Sequence, residues 1–132
     1  MTQKNINTMD IVVGLLSERK PISYALHKVY SKRTVAIPYN ESAFSAGIEE
    51  LNLANRTSNA LRRAHLVTIN DVIEFATSNG ITKVKTLGRS SGIELFEAIL
   101  DYCWAHMNNE ERTNFLIRTV ERNSNYIREE LR

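Results

Sequence analysis

The chain has 132 residues, a net charge of +2, 42% hydrophobic and 24% charged residues. That is enough for one cooperative core but short for two independent ones, and too apolar for a disordered tail. A single cysteine, Cys103, excludes an internal disulfide. No apolar run approaches the roughly 20 residues that span a bilayer, and the opening MTQKNINTMD lacks a basic region followed by an apolar one, so a soluble, cytoplasmic protein without membrane association is expected.

In chain order, Thr8 is placed to cap a short helix through MDIVVGLLSE, with Asp10 in the first turn where the helix dipole favours an acid. Pro21 suits a first helical position, and Ile22, Ala25, Leu26, Val29 and Tyr30 follow at helical spacing. RTVAIPY is β-branched and carries Pro38 at its end, which predicts a short extended segment. PYNESAFSAG is rich in turn formers and reads as a linker, with a soft boundary near residue 42. IEELNL then leads into a helix of about ten residues through Leu66, burying Ala60, Leu61 and Ala64. Thr68 and Asp71 form a capping-box-like pair ahead of a helix whose buried side is Val72, Ile73 and Phe75. SNG at 78–80 breaks it, and ITKVKTL makes one helical turn. From Ser90 or Ser91 a longer helix buries Ile93, Phe96, Leu100 and Cys103, with Trp104 as a further core aromatic. Asn108 or Asn109 starts a last helix ending near Leu131, with Leu116, Val120, Ile127 and Leu131 on one stripe.

The charge is unevenly placed. No acid occurs from Arg56 to Val67, which holds Arg56, Arg62, Arg63 and His65, or from Ile81 to Ile93, which holds Lys83, Lys85 and Arg89. Residues 108–132 instead carry five acids and five arginines, a solvated helix face. The stretch LGRSSGIEL sets Gly88, Arg89, Ser90 and Ser91 at the mouth of a helix, where backbone N–H groups and the dipole attract an anion. An ordinary loop with an N-cap explains the same residues.

Taken together, IEELNLANRTSNALRRAHLVTINDVIEF and VKTLGRSSGIELFEAIL, within residues 48–104, resemble the C-terminal domain of the bacterial RNA polymerase alpha subunit. The matching positions are Arg56 and Asn59, then Thr68, Ile69, Asp71 and Val72, then Leu87, Gly88, Ser91 and Glu94. The resemblance implies a mainly α fold: a compact bundle of short helices with a helix-hairpin-helix-like element, spanning 43–107 between an N-terminal appendage (1–42) and a C-terminal helix (108–132). It also implies a transcription-associated domain that binds the DNA minor groove and touches transcription factors. DNA contact maps onto Arg56, Asn59, Gly88 and Ser91; Arg89, Ser90, Arg62 and Arg63 adjoin them; Glu94 is a protein-interaction position or a support of the fold. Where the family has a lysine two residues after the glycine, this sequence has Ser90 beside Arg89. The segment between Ile69 and Gly88 is also slightly longer than usual.

The residues agree with such a role. Arg56 is long and planar enough to enter a narrow A·T-rich minor groove. Asn59, one turn on, shares its face, and the serine hydroxyls donate to phosphate. A second reading keeps the fold and drops the DNA: a decoy or adaptor that engages RNA polymerase, sigma factor or a regulator. Nothing points to an enzyme, since glycine-rich nucleotide loops, G-x-S-x-G and His-Glu-x-x-His are absent and His27, His65 and His106 are scattered. Cys103 and His106 have metal-like spacing without a second pair, so no metal and no cofactor is expected. Lys28, Lys32 and Arg33 either extend a DNA surface or form a solvated face, and the last helix either folds back or pairs with its copy in a homodimer.

Overall fold

The computed structural model describes residues 2–31, 40–79 and 87–129, with side chains described from residue 9 onward. It contains seven α-helices among the described residues: α1 (Thr2–Ser17), α2 (Ile22–Val29), α3 (Glu41–Phe44), α4 (Asn55–Arg63), α5 (Ile69–Asn79), α6 (Arg89–Ala105) and α7 (Asn109–Arg122). Among those residues the only β features are two isolated antiparallel bridges, Tyr30 with Ile127 and Gly47 with Thr68. The fold is mainly α. Where length alone predicts one core, the protein divides into two compact units: Met1–Pro38 with Met107–Arg132, and Tyr39–His106.

In the first unit α1 packs on α2 and α7. Thr8 lies inside α1 rather than capping it, because the helix already runs from Thr2. Arg19, at φ 64, closes α1: its N–H donates to the Leu16 carbonyl and that of Lys20 to the Leu15 carbonyl, a paired C-terminal motif. Pro21 precedes α2 at φ −60 and ψ 152, one position earlier than expected. The expected face of α2 is buried, with Ile22, Ala25, Leu26, Val29 and Tyr30 all at 1% exposure or less. The Tyr30 hydroxyl is buried without a hydrogen-bond partner among the described residues, and desolvation pushes its pKa up to about 12.

Helix α7 starts as its sequence predicts. Asn108 accepts from the Glu111 N–H and the Glu111 carboxylate accepts from the Asn108 N–H, both at 2.8 Å. Its end differs. The helix stops at Arg122 and a 3-10 turn follows over Ser124–Tyr126, because the Asn123–Asn125 run favours turns over helix. Leu116, Val120 and Ile127 of the expected stripe are buried within the chain. Leu131 and the extended segment expected at 33–39 lie outside the described residues.

The second unit opens where a linker was expected, but PYNESAFSAG contains α3. Asn40 caps it by accepting from the Ala43 N–H at 3.2 Å, its amide donates to the His106 carbonyl, and Ala43 and Phe44 are buried. A buried aromatic and an asparagine cap outweigh turn composition. IEEL forms a 3-10 turn (Ile48–Leu51) rather than the start of a helix, and it packs on α6, while α3 packs on α5 and α6. Ala60 and Leu61 are buried as expected, Ala64 only partly. Helix α4 closes on His65 at φ 63, with the Leu66 N–H on the Leu61 carbonyl and the His65 N–H on the Arg62 carbonyl.

The Thr68–Asp71 pair is reciprocal. The Thr68 hydroxyl accepts from the Asp71 N–H, and the Asp71 carboxylate accepts from the N–H groups of Val67 and Thr68 at 3.0 Å each. Those backbone bonds, led by Thr68, hold the Asp71 pKa below its ordinary value. A group with a depressed native pKa contributes stability above the unfolded carboxylate range and loses it as pH falls through the native pKa. Asp71→Asn is therefore expected to lower stability near neutrality, by about 1 kcal/mol as for other caps, with the gap to wild type closing on acidification. Urea midpoints along a pH series check this; a gap that persists at the acid end would contradict it. Below the cap, α5 buries Ile69 and Val72, whereas Ile73 and Phe75 are only half-buried.

Helix α6 departs most from its expected face. Gly92, Leu95, Ile99, Leu100 and Cys103 are buried, while Ile93 is 51% and Phe96 36% exposed, and Trp104 is only partly covered. The helix also begins one residue earlier, at Arg89.

Candidate nucleic-acid interface

Helix α4 has two faces. Thr57, Ala60 and Leu61 are buried, and Arg56, Asn59, Arg62 and Arg63 lie toward the opposite side, outside the core. Positions 56, 59 and 63 recur at three and four residues, so they stack along about 10 Å of helix. Arg62 and Arg63 lie in the last turn, where the dipole favours cations. Arg56 lies in the first turn, where it does not.

The start of α6 shows the same conflict. Gly88 is its N-cap, has no side chain to accept a capping hydrogen bond, and no acid stands in the first turn. Arg89 and Ser90 there are exposed and Ser91 partly so. A cation at an uncapped helix start is unfavourable for folding, unlike the carboxylates at the starts of α5 and α7. Gly88 is also not required by the fold. Its φ is −79, and a Cβ built on it would meet nothing within 4 Å among the described residues. Lys83 and Lys85, expected beside it, lie outside the described residues.

Glu94 joins these two helix starts. One carboxylate oxygen accepts from the Thr57 hydroxyl at 2.7 Å and the other from the Ala54 N–H at 3.1 Å. Ala54 is the N-cap of α4 and has no capping group of its own, so α6 supplies the cap from a distant part of the sequence. Glu94 lies five residues past Arg89, about 7.5 Å along the axis. The carboxylate thus fixes the turn that carries Arg56 within reach of the turn that carries Gly88, Arg89, Ser90 and Ser91. Sequence reasoning missed Thr57 and Ala54. The available signal was a helix start with alanine at the cap and a glutamate without an obvious partner.

Cys103 and His106 lie in different surroundings. Cys103 is buried, and desolvation pushes its thiol up to about 11. The His106 Nδ1 lies 2.9 Å from the Tyr102 carbonyl and its ring packs on Tyr102. Among the described residues no group of three or more His, Cys, Asp or Glu could hold a metal, and no helix is long and apolar enough to cross a membrane.

Comparison with known proteins matches this part of the sequence. Residues 37–101 match the family model for the carboxy-terminal domain of the bacterial RNA polymerase alpha subunit. A DNA-directed RNA polymerase subunit alpha from Gloeobacter violaceus is 39% identical over 54 residues, covering 41% of this protein and 17% of that subunit. The match therefore spans less than a fifth of that curated relative. No solved structure matches. The matched segment resembles the alpha carboxy-terminal domain, and it coincides closely with the second compact unit.

Proposed function

We propose, for this segment resembling the alpha carboxy-terminal domain, that the second unit is a transcription-associated DNA-binding module whose Arg56 enters an A·T-rich minor groove while the start of α6 holds a flanking phosphate. The observation that carries the reading is the pair of helix starts joined by Glu94, each presenting an arginine where folding alone favours an acid. A phosphate at the α6 start would meet N–H groups, the positive dipole end, Arg89 and two hydroxyls. Asn59 would reach base or sugar atoms beside Arg56, and Arg62 and Arg63 would add backbone contacts. Arg89 would take the place of the family's lysine.

The test is binding of the 132-residue chain to an A·T-rich and a G·C-rich duplex across a salt series, with Gly88→Ala alongside. Alanine fits the backbone at residue 88. Its lower N-cap preference and the smaller entropy of its unfolded state act in opposite directions, so stability is expected to stay within about 1 kcal/mol of wild type. Its methyl group would nevertheless stand where the phosphate approaches, and affinity is expected to fall by roughly tenfold, comparable to one lost phosphate contact. Unchanged DNA affinity in a folded Gly88→Ala protein would remove the phosphate site.

One observation favours a second reading, in which the unit engages RNA polymerase, sigma factor or a regulator as an adaptor or decoy. Ile93 and Phe96 are exposed one turn apart on α6, just beyond the helix start. Failure of either duplex to bind at low salt, with Ile93→Ser/Phe96→Ser abolishing polymerase association, would select that reading.

A further inference from the structure

We propose that the exposed side of α2, in the other unit, is a separate docking surface for the phosphate backbone of duplex DNA. The buried side of α2 is apolar, and the opposite side presents Tyr24, His27 and Lys28, with Lys20 just before the helix. The ammonium groups of Lys20 and Lys28 each lie 5.4 Å from the centroid of the Tyr24 ring. Tyr24 is 39% exposed, so both cations are gathered on one accessible aromatic. Arg128 adds a guanidinium nearby, its Nε donating to the His27 carbonyl at 2.9 Å.

Charge identifies the occupant. No Asp or Glu occurs from Arg19 to Asn40. Neither lysine forms an ion pair with a carboxylate among the described residues. Two ammonium groups held over one ring repel each other, and a polyanion would neutralise both. A ring already covered by lysines is not an open platform for stacking unpaired bases, so phosphate rather than base is what this surface reads. The surface would bind without regard to sequence and independently of Arg56.

The experiment uses the whole 132-residue chain, a fluorescein-labelled G·C-rich duplex and a salt series, comparing wild type with Lys20→Gln/Lys28→Gln and Lys20→Arg/Lys28→Arg. Each phosphate neutralised contributes about 0.9 to the slope of log affinity on log salt. The glutamine pair is expected to lower that slope by nearly two while circular dichroism stays unchanged, and the arginine pair to keep it. An unchanged slope in the glutamine pair overturns the proposal, as does absence of wild-type binding to this duplex at low salt. Loss of binding to phosphatidylserine vesicles, with the duplex slope unaltered, overturns it in favour of a membrane surface. Because Arg56→Ala is expected to leave the contribution of these lysines intact, failure of the minor-groove reading and failure of this one are separable.

Discussion

Glu94→Ala is expected to lower the unfolding free energy by about 2 kcal/mol, in line with losing hydrogen bonds to a charged acceptor. Two bonds are lost together. Thr57 is 1% exposed, so its hydroxyl would remain buried without its acceptor, and the Ala54 N–H would lose the cap that α4 does not supply for itself. The partial exposure of the carboxylate keeps the figure below the sum of two fully buried bonds. Glu94→Gln retains one carbonyl acceptor and an amide that can donate to the Thr57 oxygen, so it should lose less than half as much. Urea denaturation of Glu94→Ala, Thr57→Val and the double variant measures the coupling. If the two single losses simply add, the carboxylate does not act through Thr57. The same experiment bears on function, because Glu94→Ala loosens the first turn of α4 without removing a cation. DNA affinity should fall while the salt slope holds.

Local signals in the sequence transferred well to the structure. The Thr68–Asp71 cap spans three residues, the start of the last helix rests on Asn108 itself, and the buried side of α2 is set by one short periodic run. Features decided by distant partners did not transfer. On α6 the sets Ile93, Phe96, Leu100, Cys103 and Gly92, Leu95, Ile99, Cys103 both fit a helical period and differ by about one residue's rotation, roughly 100°. Periodicity cannot choose between them. The structure buries the second set together with Leu100 of the first, placing a glycine against the core and leaving Ile93 and Phe96 outside. PYNESAFSAG failed for a related reason, since the burial of Phe44 is a tertiary effect that turn composition does not register. The Glu94 bridge joins residues 37 and 40 positions apart in sequence, beyond any local pattern. What was legible of the candidate interface was the set of exposed polar residues; what joins them was not.

Arg56→Ala is expected to weaken binding to an A·T-rich duplex by roughly 10- to 100-fold, the scale of one good arginine contact in a groove, and to leave a G·C-rich duplex nearly unaffected. Arg56 is exposed in the first turn of α4, a turn held by the Glu94 cap, so its guanidinium leaves from a fixed base. A narrow A·T-rich groove concentrates negative potential and admits a slim planar cation, whereas the guanine amino group obstructs it. Lysine at this position separates charge from shape. Arg56→Lys retains the charge and should keep most of the salt slope, but its compact ammonium is more strongly hydrated and lacks the planar fork. It should therefore recover overall affinity without recovering the A·T preference. Fluorescence anisotropy on both duplexes with wild type, Arg56→Ala and Arg56→Lys gives the comparison directly. If Arg56→Ala keeps the wild-type ratio between the two duplexes, Arg56 does not read the groove, and the exposed stripe of α4 acts only as a positive surface.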